Sequence, residues 1–178
     1  PRLRTMLPEN EEARMAQVLQ FTLPGAPVVY YGVELGMEGG DDPEMRGPMR
    51  WDIATDDNEY LRWMRTLINA RQESPALRYG DYLMLESEKM IAFLRVTDRA
   101  EDLRMILVNP SEEPIKETIM VRDSKMMSGT RFVDMLGSDK QFEIFSGTVN
   151  VEMEPKSAYL LRPNIEDTVE YSTYKRVR

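Results

Sequence analysis

Neither cysteine nor histidine occurs among the 178 residues, which excludes thiolate nucleophiles, disulfides, Cys-ligated zinc and imidazole acid–base chemistry. Any chemistry must rest on carboxylates, tyrosine, lysine or arginine. The densest collection of such groups lies in the Gly-rich, acidic stretch from Val33 to Asp56, which holds Glu34, Asp41, Asp42, Arg46 and Trp51. Carboxylates and a guanidinium can hydrogen-bond adjacent sugar hydroxyls, and an aromatic ring can cover the apolar face of a pyranose, so this set suits a carbohydrate. The plainer alternative is that Asp42 and Arg46 pair with each other and Trp51 packs beneath the loop. No metal-ligand or cofactor motif accompanies these residues.

The elements around this stretch must position it. From Glu9 to Leu23 the apolar residues Met15, Val18, Leu19 and Leu23 recur at three- and four-residue intervals behind Glu9, Glu11 and Glu12, which predicts an amphipathic helix with an acidic first turn. Leu23-Pro24-Gly25-Ala26-Pro27 stops it. The continuous apolar run Val28-Val29-Tyr30-Tyr31 suits a strand covered on both faces, as in a parallel sheet, and Gly32 ends it. Loops as long as 33–56 inside compact domains are usually functional or disordered. A second helix begins at Asp56 or Asp57, either able to cap it, and carries Leu61, Met64, Leu67 and Ile68 on one face as far as Ser74-Pro75.

After Pro75 the periodicity becomes that of strands: Asp81–Leu85, Met90–Val96, Arg104–Asn109, Ile115–Val121, Thr130–Asp134, Gln141–Phe145, Thr148–Met153 and Ala158–Arg162. Short strands at this spacing predict an antiparallel β-sandwich. The fold class is therefore α+β: a helix–strand–loop–helix unit over residues 1–77, an all-β sandwich over 78–163, and a polar tail over 164–178. The 14 methionines read as adaptable core filler.

Composition bounds the partners. With 23 Lys+Arg against 31 Asp+Glu, the net charge of −8 repels phosphate backbones, so nucleic acid is not an expected partner. No apolar run approaches the roughly 18 residues of a membrane span, so a soluble chain is expected, and the lack of cysteine leaves cytosol and export both open. A buried parallel strand needs neighbours on both edges. Val28–Tyr31 has none in this sequence, so its uncovered edges and the apolar helix faces predict self-association.

The residues from Leu23-Pro24-Gly25-Ala26-Pro27 through Val28-Val29-Tyr30-Tyr31-Gly32-Val33-Glu34-Leu35-Gly36-Met37, followed by Asp42-Pro43-Glu44-Met45-Arg46-Gly47-Pro48-Met49-Arg50-Trp51-Asp52, resemble the last barrel strand and following loop of the α-amylase family, glycoside hydrolase family 13. The nearest look is to its cyclomaltodextrinase, neopullulanase and maltogenic amylase neighbourhood. Pro75-Ala76-Leu77-Arg78-Tyr79-Gly80-Asp81 is similar to the entry into the family's C-terminal β-domain. The resemblance implies that the first unit is the end of a (β/α)8 barrel. It also implies that Pro1-Arg2 follow directly on the family's Asn-His-Asp element, so that the nucleophile, acid/base and stabilising carboxylates lie upstream of Pro1 and no catalytic residue is expected in this chain. Asp42 and Arg46 are then donor-side substrate contacts for an α-glucan or maltodextrin, and Tyr31 is a substrate-binding candidate with core packing as its alternative. Arg2 braces the neighbouring element, and Glu34 and Trp51 have structural roles, with Trp51 and Trp63 in packing. Val33 stands where the family pattern has Asp.

The implied function is that of a C-terminal piece of an α-glucan-acting glycosidase, retaining hydrolysis or transglycosylation of α-1,4 or α-1,6 bonds belonging to the parent enzyme and the piece alone being inactive. The alternative is a non-catalytic sandwich that binds carbohydrate or another protein.

Overall fold

In the computed structural model, which describes residues 1–164, the helical unit comprises α1 (Leu3–Met6), α2 (Asn10–Thr22), α3 (Glu59–Glu73) and α4 (Pro75–Tyr79). Helix α2 starts with Glu11 and Glu12 in its first turn, where carboxylates meet the positive end of the helix dipole, and buries Met15, Val18 and Phe21. Helix α3 buries Met64, Leu67 and Ala70. Its cap is Asn58, whose Oδ1 accepts from the N–H groups of Tyr60 (2.9 Å) and Leu61 (3.1 Å). The expected caps Asp56 and Asp57 lie too early, and Asp56 instead accepts from Arg65 at 2.7 Å. The Ser74-Pro75 stop also starts α4: Ser74 accepts from Leu77 N–H, and Pro75 occupies the first turn, where its missing N–H costs nothing.

Eight strands follow: β1 (Asp81–Met84), β2 (Ile91–Val96), β3 (Arg104–Asn109), β4 (Ile115–Met120), β5 (Arg131–Asp134), β6 (Gln141–Phe145), β7 (Thr148–Met153) and β8 (Ser157–Asn164). All paired neighbours run antiparallel in the order β1-β2-β3-β8-β5-β6-β7-β4, a curled sheet whose two halves face each other. The shared interior holds Leu94, Leu107 and Leu161 from one half and Ile119, Ile144 and Val149 from the other. The free edges, β1 and β4, are tied by Glu117 of β4, which accepts from Ser87 Oγ at 2.7 Å and Glu88 N–H at 2.8 Å in the β1–β2 turn.

The strands β2, β3 and β8 are covered on both faces. Along β3 all six residues are buried. Successive side chains point to opposite faces, so Met105 and Leu107 enter the sheet interior while Ile106 and Val108 join Phe93 and Leu160 against Met15, Val18, Phe21, Met64 and Leu67 of the helices. Lys156, in the β7–β8 turn, adds a polar tie: its ammonium lies 2.8 Å from Glu112, 2.7 Å from Glu12 and 2.9 Å from Glu9. These carboxylates hold its pKa above the ordinary lysine value. Of the polar tail expected over 164–178, Asn164 ends β8 opposite Arg131, and the remaining residues lie outside the described ones.

The strand expected at Val28–Tyr31 does not form, whereas the lack of neighbours along its edges is as expected. The run pairs with no strand among the described residues, and Val28 is 78% exposed. A both-face-covered strand needs neighbours on both edges, and none of the eight described strands reaches it.

Candidate functional site

The site begins where α2 delivers the chain to Val28. Val28, Val29 and Tyr30, with Leu3, Met6, Arg2, Gln20, Met45 and Arg46, line a hollow of about 790 Å³. The walls are largely aliphatic, and two guanidiniums stand among them.

Arg2 organises the floor. It is 2% exposed, its N–H donates to Gly39 O at 2.8 Å, its Nη1 donates to Tyr31 O, and its guanidinium lies over the rings of Tyr30 (5.0 Å) and Tyr31 (4.5 Å). Two π faces partly offset the desolvation of a buried cation. The two tyrosine rings are themselves 4.7 Å apart. Partial desolvation, and then Tyr31, raise the pKa of the Tyr30 phenol, while Arg2 and Arg46 pull it down. Gly32 closes the turn at φ +83, and a β-carbon there would stand 2.5 Å from Met37 Sδ and 2.9 Å from Arg2 Nη1. Gly36, at φ +73, similarly leaves room for the Tyr60 ring. These two glycines let the loop fold back over Arg2 and against α3.

The structure brings Tyr31, Asp42 and Arg46 to one rim. Arg46 and Asp42 form an exposed ion pair at 3.0 Å across the short 3₁₀ turn Glu44–Arg46, and Tyr31 Oη donates to Gly47 O at 2.9 Å. The local pairing foreseen for Asp42 and Arg46 is therefore present, with both side chains more than half exposed and their remaining donors and acceptors open to a ligand. Glu34 sits in the 3₁₀ turn Val33–Leu35, and its Oε2 is buried without a hydrogen-bond partner.

Trp51 corrects the packing expectation. It is 76% exposed, on a ridge stiffened by the Arg50–Asp52 pair, in which Nε and Nη2 reach the two carboxylate oxygens at 2.7 and 2.5 Å. That bidentate contact lowers the Asp52 pKa and raises that of Arg50. Trp51 stands directly between these two charged residues in the chain. Trp63, by contrast, packs against the helical core as foreseen, with the Arg14 guanidinium 5.4 Å from its ring.

Two contributors escaped sequence reasoning. Tyr30 faces the hollow, and the Tyr-Tyr dipeptide was its available signal. Asn58 pins the loop by donating from Nδ2 to Ile53 O (3.0 Å) and Leu35 O (3.3 Å), contacts that nothing in its immediate sequence announces. Among the described residues no group of three or more metal-ligating side chains could hold an ion, and no helix is long and apolar enough to cross a membrane. Chemically, the rim offers a carboxylate, a guanidinium and a phenol beside an apolar wall, a set able to hydrogen-bond vicinal hydroxyls.

No family model matches the chain. It is 36% identical to a cyclomaltodextrinase of a Bacillus species over 104 residues, covering 57% of this chain and 18% of that protein. It is 32% identical to a maltogenic α-amylase of Bacillus acidopullulyticus over 122 residues, covering 65% and 20%. Among solved structures, a cyclomaltodextrinase superposes with a TM-score of 0.73 at 28% identity, over 92% of this chain and 27% of that one. The chain thus spans about a fifth of the length of these curated relatives.

Proposed function

With sequence and fold both matching the C-terminal region of the α-amylase family, glycoside hydrolase family 13, we propose that this chain supplies the donor-side sugar contacts of an α-glucan-acting glycosidase. In this reading Asp42 and Arg46 hydrogen-bond glucose units that lie beyond the scissile bond, and Tyr31 flanks them. The observation that carries it is the exposed Asp42–Arg46 pair beside the tyrosine-lined hollow. A carboxylate and a guanidinium held together present acceptors and donors at the spacing of neighbouring hydroxyls.

Bond cleavage in this reading belongs to carboxylates outside the chain. A retaining glycosidase needs two carboxyl groups roughly 5–5.5 Å apart on opposite sides of the anomeric carbon. Asp41 and Asp42 are adjacent on one loop, and Asp42 is engaged with Arg46, which suits them to binding rather than to attack and proton donation. The parent reaction is then retaining hydrolysis or transfer at α-1,4 or α-1,6 linkages, and the chain by itself turns over no maltodextrin.

The test is calorimetric titration of maltoheptaose into the full chain. Saturable heat is expected for the wild type and is lost in Asp42→Ala and Arg46→Ala variants that keep the wild-type circular dichroism. Heat retained in both variants assigns binding to the β-sheet instead, and no heat in the wild type overturns the reading. Reducing-sugar release that survives Asp42→Ala would likewise overturn it.

A further inference from the structure

The segment that carries the hollow is held by side chains where a ladder would be expected. A helix end leaves its last carbonyls without intrahelical donors. At the end of α2, Phe21 O accepts from Arg71 Nη1 at 2.6 Å, and Thr22 O accepts from Arg95 Nη1, also at 2.6 Å. Beyond the helix, Gly25 O accepts from Arg71 Nη2 at 2.5 Å and Val28 O from Gln20 Nε2 at 2.6 Å. Between Phe21 and Val28, then, four backbone carbonyls accept from three side chains, two of them guanidiniums.

Those guanidiniums come from different parts of the chain. Arg71 lies on α3, while Arg95 lies on β2, is 1% exposed, and also donates through Nη2 to Gly80 O at 2.8 Å. Neither forms an ion pair among the described residues. Burial depresses both pKa values; Arg71 lowers that of Arg95 further, and Asp81 opposes the fall. Arg95 is a buried cation with Arg71 as a repelling neighbour, a poor device for stability alone, since buried charges usually cost more than they return. The planar five-donor fork of arginine does allow one side chain to hold two carbonyls at a fixed separation, which lysine's single ammonium does less well. The negative end of the α2 dipole favours cations at this location as well.

We infer that Arg71 and Arg95 are positioning residues that set the path of the Leu23–Pro27 connector and thereby the placement of Tyr30, Tyr31 and the hollow. Arg95 makes β2 a contributor to the geometry of this connector, through its bond to Thr22 O. For its consequence on sugar binding the inference rests on the function proposed above, whereas its structural content stands apart from it.

Hydrogen exchange by mass spectrometry on the full chain separates the two. In Arg71→Met, and in Arg95→Met, exchange of the hydrogen-bonded amides that bracket the connector, Leu23 at the end of α2 and Val33, Leu35, Gly36 and Met37 in the Gly32 turn, is expected to accelerate at least tenfold, while amides of β4 and β7 keep the wild-type rate. Maltoheptaose affinity should weaken at least fivefold, and Arg71→Lys and Arg95→Lys should restore part of both effects. Should Arg95→Met fail to fold, Arg71→Met, altered at a partly exposed helix position, decides the matter. Unchanged exchange at Leu23 and at the Gly32-turn amides in the folded variant, or acceleration spread evenly over β4 and β7, would overturn the inference. If the wild type gives no heat with maltoheptaose, the sugar reading fails while the exchange result still judges the positioning.

Discussion

Replacing Gly32 by alanine should damage the hollow by an amount that can be worked from two separate contributions. An L-residue in the left-handed region costs roughly 1–2 kcal/mol, and Gly32 sits at φ +83. The added methyl would also stand 2.5 Å from Met37 Sδ and 2.9 Å from Arg2 Nη1. Met37 is flexible, but Arg2 is 2% exposed, stacked on two tyrosines and bonded through that same nitrogen to Tyr31 O. Overpacking of this kind costs about 1–3 kcal/mol, so the two contributions together come to about 2–5 kcal/mol. Gly137 provides the control, because at φ +96 it has nothing within 4 Å of an added methyl. Gly137→Ala should therefore show the backbone contribution alone, about 1–2 kcal/mol. Urea denaturation followed by circular dichroism measures both, and in thermal melts each kcal/mol corresponds to about 2–4 °C for a chain of this size. If the two alanine variants are equally destabilised, the close approach of Arg2 to the turn carries no energetic weight and the description of the floor is wrong.

Truncating Phe93, a fully buried ring 5.0 Å from that of Tyr82, is expected to cost about 3–5 kcal/mol; a loss below 1 kcal/mol in urea titration would mean that the helix–sheet contact is loose. The exposed Asp42–Arg46 pair should contribute only about 0–1 kcal/mol to stability, so Asp42→Asn is expected to leave the urea midpoint unchanged while abolishing maltoheptaose heat, and a large stability loss would count against a binding role. Partial burial raises the Glu117 pKa, but the Glu88 and Lys89 N–H groups and the Ser87 hydroxyl more than reverse this and leave it below the ordinary value of 4.5. A carboxyl depressed in the folded state stabilises above its unfolded pKa and loses that stabilisation as pH falls through the folded value. Glu117→Gln should accordingly flatten the acid limb of a stability-versus-pH curve, and curves that run parallel to the wild type would refute the assignment.

The sheet was legible because its outward and inward residues alternate. Ile115 and Ile119 of β4, Phe142 and Ile144 of β6, and Val149, Val151 and Met153 of β7 all point into the shared interior as period-two patterning requires. In β2 and β3 nearly every residue is buried, a pattern that gives strand identity but conceals which face meets the helices. Helix α4 was hidden because Ser74-Pro75 reads as a stop, although the same pair makes a good start. Val28–Tyr31 has the composition of a covered strand, but composition cannot supply the neighbour, and here the carbonyls of Val28 and Tyr31 accept from Gln20 and Arg2 instead. The Asp42–Arg46 ion pair was foreseeable from the four-residue spacing on one loop, whereas the sugar-contact roles of Asp42, Arg46 and Tyr31 came from the family resemblance and not from spacing. The Arg95 contact was not, since its acceptor at Thr22 lies 73 residues away and no local rule links a strand arginine to a distant carbonyl.

The double cover of β2, β3 and β8 bears on any attempt to dissect or transplant this molecule. These strands form the middle ply of three, and the seam between the helical ply and the β ply is greasy on both sides. Cutting the chain near Gly80 to obtain the sheet alone would present Phe93, Ile106, Val108 and Leu160 to water, a contiguous patch of the kind that drives precipitation. A graft of the sheet onto another scaffold must therefore bring its helical roof along, or repaint those four positions with polar side chains.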